Sequence, residues 1–511
     1  MGKILTFYRR FGVRQTLCKV LDDLFPLKRI VPQKLPVPAA DELPAFSFDR
    51  QLCPDGVDYP EDLCRDDAPW LIIAPDGKAV LKKTALRQIA AFLKQNPDCE
   101  LIYFDSEVSG SSGGGYFCRP DFSPEYLRSY DYIGELCAIR RELAEKITPG
   151  SITEIFLSAA ESGVNIAHFP QIIYSVSGVS QTAEGGCEAV SRHLIRCGIA
   201  FDEVIPCGGG RRIKYQISGE PLISILIPSH NQPGVLKRCV ESLLNRSDYR
   251  NFEIVIVENG SNAPELFDYY RELENSCDRV KVVSYPVKES FNYSRINNFG
   301  AEYCAGEYIL FLNNDTELIS PESLREMLMF ARMPDVGVTG AKLLYMDGTV
   351  QHCGSIIGMG GIAAHHSLRA GREEGGYLNT LQSAREFSAV TFACAMVRRS
   401  DFFSTGKLDE DLAVAYNDID FCLRMRNAGK RVICTPHSLW FHHESLSRGL
   451  EDSPEKIERI AREAAIFEAR HAGILQNGDP FYNPNLNLSG KSFTPRGRLG
   501  RLKLIQRRKR S

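Results

Sequence analysis

The stretch Tyr308-Ile-Leu-Phe-Leu312 stops abruptly at Asn313-Asn314-Asp315-Thr316-Glu317. A short apolar run bounded by polar residues predicts a buried strand, and strands of this kind belong to sheets covered on both faces. In open α/β sheets, ligands gather just beyond the carboxyl ends of the strands. Asp315 is therefore placed where a divalent cation and a diphosphate could meet it, because hard cations take oxygen ligands and Mg²⁺ commonly pairs a carboxylate with substrate phosphates. A plain Asn-Asn-Asp turn would account for the same residues, so the rest of the chain has to decide.

The same pattern recurs upstream. Leu222-Ile-Ser-Ile-Leu-Ile-Pro228 reads as a buried strand ending in Ser229-His230-Asn231-Gln232-Pro233. Val235, Cys239, Leu243 and Leu244 follow at helical spacing. Glu253-Ile-Val-Ile-Val257 is a second strand, ending in Glu258-Asn259-Gly260-Ser261. Strands alternating with helices predict a parallel, doubly wound α/β sheet with right-handed crossovers. A further polar cluster, Asn417-Asp418-Ile419-Asp420, opens a helical segment, where negative charge is favoured. Capping is the ordinary use of Asp there. Two carboxylates exceed what a cap needs, so at least one is available for other work. His442 and His443 follow the next apolar run, where a metal ligand could be placed.

The chain contains a diverged internal repeat. Trp70-Leu-Ile-Ile-Ala74-Pro75-Asp76 mirrors Ile309 to Asp315, and Cys137–Arg141 mirrors Cys394–Arg399. Residues 151–174 align with 417–440 without a gap, matching Gly163 to Gly429 and Pro170 to Pro436. The first copy is expected to lack the opening strands, with no room for them before Trp70. It also lacks the polar set: Asn313, Asn314, Asp418 and His442 become Ala74, Pro75, Ile152 and Val176. The expected organisation is an N-terminal arm with a Pro-rich connector (1–65), a first domain (66–205), a linker (206–220), a second domain (221–470) and a basic tail (471–511).

At 511 residues the length fits two or more domains. No run approaches the ~18 apolar residues of a spanning helix, and no export signal is visible at the start. Sixteen cysteines without a Cys-x-x-Cys pair argue against a zinc ribbon and for reduced thiols, hence a cytoplasmic protein. Net charge is −3, yet residues 489–511 hold nine Lys or Arg and no acid, leaving −12 on the rest. The tail also carries Leu499, Leu502, Leu504 and Ile505. Contact with an anionic membrane surface is favoured for it over nucleic acid or a passive end. Aromatic interleaving and any nucleic-acid module are missing, so no nucleic-acid partner is expected.

On these motifs the second domain resembles a family-2 glycosyltransferase of the GT-A fold. The resemblance is carried by Ile227-Pro-Ser-His-Asn231, Glu258-Asn-Gly-Ser261, Phe291-Asn-Tyr-Ser-Arg-Ile-Asn-Asn298, Leu312-Asn-Asn-Asp-Thr-Glu317, Asn417-Asp-Ile-Asp-Phe-Cys-Leu-Arg424 and His442-His-Glu-Ser-Leu-Ser-Arg-Gly449. Tandem domains of this type resemble bacterial enzymes of O-antigen, capsule and rhamnan assembly. The fold class implied is α/β, with a GT-A domain preceded by a truncated, degenerate GT-A-like domain.

The resemblance also implies roles. Pro228, Ser229, His230, Asn231, Glu258, Asn259, Ser261, Asn292, Ser294, Asn297, Asn313 and Asn314 would bind the nucleotide sugar. Asp315 stands for the last acid of the Asp-x-Asp motif and would hold Mg²⁺ or Mn²⁺, with Asn313 where the preceding acid usually sits. Asp418 matches the catalytic base. His442 matches the late histidine of the metal site, with His443 as its competitor. His352, Gly354, Asn417 and His443 lie where the acceptor would be met; a mobile lid in the Gly358–Gly361 region is the alternative there. The implied activity is inverting transfer from dTDP-rhamnose or a UDP-hexose to a lipid-linked (polyprenyl-diphosphate) or growing cell-surface glycan, at the inner face of the membrane. A non-catalytic nucleotide-sugar- or glycan-binding scaffold is the alternative.

Overall fold

A computed structural model describes residues 43–48, 65–74, 79–109, 115–147, 150–177, 183–286, 291–443, 453–489 and 492–496. Most of the N-terminal arm, Asp76, the Glu444–Gly449 motif and residues 497–511 of the tail lie outside the described residues. No helix among the described residues is long and apolar enough to cross a membrane.

The first half carries strands β1 (Phe46–Phe48), β2 (Trp70–Ile73), β3 (Ala79–Leu81), β4 (Leu101–Val108), β5 (Tyr116–Phe117), β6 (Cys137–Arg140) and β7 (Ile166–Val176). They form one sheet of order β1-β2-β6-β4-β7-β3, with β5 paired to β4. A hairpin follows, β8 (Phe201–Cys207) and β9 (Gly210–Tyr215).

The second half begins with β10 (Ile223–Ser229), β11 (Phe252–Glu258), β12 (Val280–Ser284), β13 (Tyr308–Leu312) and β14 (Thr316–Leu318). It continues with β15 (Val336–Leu344), β16 (Val350–His352), β17 (Ser355–Ile357), β18 (Ala363–His365), β19 (Arg385–Glu386), β20 (Cys394–Arg398) and β21 (Arg431–His442). Its sheet runs β12-β11-β10-β13-β20-β15-β21-β14, with β16 on β15 and β19 on β21. Strands β12, β11, β10 and β13 are mutually parallel, as the strand–helix alternation predicts. All five residues of β13 are buried because both faces are covered. Ile225, Ile227, Ile254, Leu310 and Leu312 pack on one side with Leu236, Leu243, Leu266 and Met327 from three helices. Leu226, Val255, Val257, Ile309 and Phe311 pack on the other with Ile296, Ile419 and Phe421. The period-2 alternation of each strand feeds the two layers. This is the doubly covered α/β sheet that the GT-A resemblance implies for the second half.

The two sheets share one strand path. Replacing β1-β2-β6-β4-β7-β3 by β10-β13-β20-β15-β21-β14 reproduces the second sheet from β10 onward, and β5 stands to β4 as β16 stands to β15. Ile73 pairs with Cys137 as Leu312 pairs with Cys394. Ser106 pairs with Tyr174 as Leu343 pairs with Trp440. One expectation is corrected. An opening strand does exist, because β1 pairs parallel with β2 just as β10 pairs with β13. Three residues suffice to make that contact, too few to show any periodicity. Counterparts of β11 and β12 are what the first half lacks among the described residues.

Within the expected linker 206–220, residues 206–215 belong to the β8–β9 hairpin. Gly208 and Gly209, at φ +54° and +79°, close the β8–β9 hairpin, and a two-residue turn with both φ positive is what such hairpins favour. The hairpin ties the halves together. Arg211 reaches Asp131 at 2.8 Å in the first half, and Arg212 pairs with Glu322 and Glu326 in the second. Nearby, Ser123 hydrogen-bonds Glu386, which Arg431 meets at 3.0 Å. The tail expected from 471 is also folded at its start. Asn483 is buried and donates to Asp105 and to the Arg119 carbonyl, both at 2.8 Å, while Asp479 accepts from Ile357 N and Ser388 Oγ.

Candidate active site

The polar ends of β13, β16 and β21 converge. Thr316 pairs with His442 across β14 and β21, which brings His442 back beside Asp315. His442 Nε2 lies 3.2 Å from Asp315 Oδ1 and 3.3 Å from Asn313 Nδ2. Its Nδ1 lies 2.7 Å from Gln351 Oε1. Successive residues of a strand face opposite ways, so His443 cannot share this position. The His443 imidazole is turned to Glu317, 3.6 Å away, while its backbone N–H donates to the Asp315 carbonyl. The geometry thus separates the two histidines, with His442 beside Asp315. An imidazole nitrogen and a carboxylate oxygen 3.2 Å apart, next to the amide of Asn313, form a donor set that fits a divalent cation such as Mg²⁺ or Mn²⁺.

Asp418 stands at the start of helix Asn417–Asn427, whose N-cap is Tyr416 at φ +66°. Its Oδ1 accepts from Ile419 N at 2.8 Å and its Oδ2 from Phe392 N at 3.3 Å. Burial pushes its carboxyl up from the usual value, against the pull of these backbone donors and the Thr391 hydroxyl. Asp420, one of the two acids offered by the sequence, is excluded from chemistry. It is fully buried and bonded to Arg424, Arg470 and His471. Glu463, from helix Pro454–Arg470, holds the approach to Asp418 by accepting from Ala415 N at 2.6 Å.

Asp315 and Asp418 belong to one contiguous strip. Ala393 O accepts from Asn313 N at 3.0 Å, and the neighbouring Phe392 N donates to Asp418. On a second path, Thr391 N donates to His352 Nε2 at 3.4 Å, and His352 adjoins Gln351. His352 and His365 meet through their Nδ1 atoms at 2.8 Å. Burial lowers His365 to about 4 and holds His352 well below its usual value, so both are neutral near pH 7. Of the expected acceptor residues, His352 is therefore a buried bridge to Thr391. Gly354 is a backbone necessity, since at φ +101° its Cβ would lie 2.5 Å from the Phe387 ring. Asn417 is buried, with its amide used by Leu412 O and Asp418 N.

The expected nucleotide loops are laced together beyond β10 and β11. Asn259 N donates to Ser229 O at 2.9 Å, His230 Nδ1 contacts Asn259 O at 2.8 Å, and Asn231 N donates to Ser261 Oγ at 2.8 Å. Asn231 Oδ1 accepts from Asn262 N and Ala263 N. The Glu258 carboxylate is engaged by Ser261 N and Oγ and by Tyr270 OH, so it braces its own loop. Pro228 is the penultimate residue of β10, and Asn314 is buried beside Asp315. Three of the expected nucleotide-sugar residues bond to the protein itself. Asn292 caps helix Tyr293–Ala301 and donates to Glu410 O; Ser294 donates to Leu412 O; Asn297 is fully buried and donates to Tyr293 O. Asn292 and Ser294 anchor the segment before Asp418, while the Asn297 amide bonds back within its own helix. Sequence reasoning placed Gln351 only in the acceptor-facing stretch Gln351–Gly354 and missed Thr391, which nothing local marks.

Residues 224–403 match the model of glycosyl transferase family 2. This part of the chain is a family-2 glycosyltransferase domain. The chain is 35% identical over 445 residues to the uncharacterized protein y4gI of Sinorhizobium fredii, covering 82% of this chain and 48% of that protein. It is 34% identical over 451 residues to the O-antigen biosynthesis protein RfbC of Myxococcus xanthus, covering 83% of this chain and 34% of the relative. The chain thus spans about half of the first relative's length and a third of the second's. Both matches extend well beyond the family-2 domain. Among solved structures, GalNAc-T7 with UDP, GalNAc and Mn²⁺ is similar at 16% identity, over 51% of this chain and 52% of that one, with a TM-score of 0.37.

A second cluster lies far from the family-2 domain's polar strip. Glu161, His193 and Cys197 bring one ligand atom each within 4.8 Å of one another. Glu161 is gripped by Arg196 through both oxygens, and Arg128 Nε points at His193 Nε2 from 3.2 Å. Two guanidinium groups at these positions oppose an added cation, so this is a satisfied ion network.

Proposed function

We propose that the chain is an inverting, metal-dependent glycosyltransferase. Its donor would be dTDP-rhamnose or a UDP-hexose, and its acceptor a lipid-linked or growing cell-surface polysaccharide. The observation carrying this reading is the short hydrogen-bonded path from Asp315 through Asn313 and Ala393–Phe392 to Asp418. One donor molecule could touch both carboxylates. The relation to the O-antigen biosynthesis protein RfbC supports the polysaccharide setting.

Asp315 and His442 would hold the cation, which when bound supplies positive charge for the departing diphosphate. Asn313 and Asn314 would orient the oxygens around it. Asp418 takes the proton of the acceptor hydroxyl through a remaining lone pair, while Phe392 N and Ile419 N keep the carboxylate aimed. One base and no second carboxylate nucleophile give single displacement with inversion; the glycosidase pair of carboxylates is the contrast. The loops around Ser229–Asn231 and Glu258–Ser261 would border the nucleotide. The first half, a strand-for-strand partial copy with Ile152 and Val176 for base and histidine, would be catalytically silent.

Purified protein mixed with a panel of nucleotide sugars and Mn²⁺ or Mg²⁺ is expected to hydrolyse one of them slowly without acceptor, and chelation should stop it. Failure of every donor to bind or react would sink the enzymatic reading. Membrane attachment through the basic residues of 497–511 is part of the proposal. Deleting 497–511 should move the protein from vesicles containing anionic lipid to the supernatant, with no change for neutral vesicles. Equal partition of both forms would remove the tail from the account.

A further inference from the structure

Gln351 contacts His442 at two points. It sits in β16, almost wholly buried between Val350 and His352. Its Nε2 donates to the main-chain carbonyl of His442 at 3.3 Å. A carbonyl oxygen only accepts, so this contact decides which way the amide faces. The amide oxygen then lies 2.7 Å from His442 Nδ1. That oxygen also only accepts, so Nδ1 must carry a proton. In a neutral imidazole the lone pair is then left on Nε2. This nitrogen faces Asp315 Oδ1 at 3.2 Å, with the Asn313 amide 3.3 Å away. The opposite tautomer would point Nε2–H at the carboxylate and close the pair with an ordinary hydrogen bond.

We propose that Gln351 is a positioning residue that holds His442 in its Nδ1–H tautomer, so that the Nε2 lone pair and the Asp315 carboxylate form a preformed seat for a divalent cation. The proposal rests on the metal-dependent reading above and adds the residue that prepares the site. Metal-binding histidines generally donate their second ring N–H to a fixed acceptor, which sets the tautomer and the ring's orientation. Gln351 does this while also holding the backbone of the same residue, so ring and main chain move together. Asn313 completes the arrangement: its amide N–H₂ covers the Nε2 lone pair and has to yield when a cation enters.

The test uses the full chain labelled with ¹⁵N-histidine and freed of metal. Long-range ¹H–¹⁵N spectra report the tautomer, and the His442→Gln spectrum identifies the signal. The wild type is expected to show the Nδ1–H form. Gln351→Leu, similar in size but unable to accept, should lose it. Gln351→Glu keeps an acceptor facing Nδ1 and should retain it. Mn²⁺ titration followed by electron paramagnetic resonance should show Gln351→Leu binding about 10–100-fold more weakly, with Gln351→Glu, which keeps the acceptor but loses the bond to the His442 carbonyl, between Gln351→Leu and wild type. A wild-type Nε2–H signal, or a Gln351→Leu protein with unaltered tautomer and Mn²⁺ affinity, overturns the proposal. If the tautomer behaves as expected but the wild type takes up no Mn²⁺ even with a bound nucleotide sugar, the metal-dependent reading itself has failed, and the seat with it.

Discussion

Replacing Asp418 by Asn is expected to slow sugar transfer by about 10²–10⁴-fold, the usual contribution of a general base, while the nucleotide sugar still binds. The Asp418 oxygens each accept one backbone N–H, from Ile419 and Phe392, which fixes the carboxylate without exhausting its lone pairs. An amide at this position must turn its N–H₂ toward one of those donors and has no basic oxygen left to offer. Burial raises this carboxyl above the ordinary range, and a stronger base accepts an alcohol proton more readily. The charged form is the active one, so kcat/KM should fall as pH drops through the raised pKa, at a higher pH than an exposed carboxylate would give. That acid limb should vanish in Asp418→Asn. Steady-state rates across pH, with donor affinity measured separately, check both parts. A variant that transfers sugar at the wild-type rate would remove Asp418 from the mechanism.

What could be read in the sequence depended on whether a residue's use was local. The apolar run Tyr308–Leu312 and its Asn-Asn-Asp end announced a buried strand and a polar strand terminus, because period and length alone set that pattern. The repeat was legible because Pro170 and Pro436 lie at the same irregularity, where β7 and β21 slip register against β4 and β15. Choices between neighbours were not legible. His442 and His443 are identical side chains one residue apart, and only the pairing of Thr316 with His442 decides which one meets Asp315. Asp418 and Asp420 both open the same helix, yet Arg470 and His471, fifty residues on, claim the second. Asn292, Ser294 and Asn297 look like ligand-binding polar residues, but they bind main-chain groups that folding places beside them. Strand β1 was missed because three residues cannot display a period.

Asp420→Asn is expected to destabilise the fold by about 3–5 kcal/mol at neutral pH, toward the lower end because Arg470 reaches solvent. Asp420 accepts from Arg424 Nε at 2.8 Å on its own helix, and from Arg470 Nη1 at 2.9 Å and His471 Nε2 at 2.8 Å. Removing its charge leaves the Arg424 and Arg470 guanidinium groups beside His471, with Asp409 2.6 Å from Arg470. Burial alone would raise the Asp420 carboxyl. His471, Arg470 and Arg424 outweigh burial and hold it far below the usual carboxylate range. Its folded value is thus depressed, so its stabilisation is present above the unfolded value of about 3.9 and is lost as pH falls below it. Urea denaturation should accordingly show a wide gap between wild type and Asp420→Asn at pH 7 that narrows below pH ~4. Asp418 has the opposite sign: burial works against its charge, so Asp418→Asn should cost only the backbone N–H it leaves unpaired, about 1–3 kcal/mol, while slowing transfer. The two acids of one helix start are separable by these measurements. A stable Asp420→Asn with a collapsed rate, beside an unstable but active Asp418→Asn, would exchange their roles and place the base on the buried ion cluster instead.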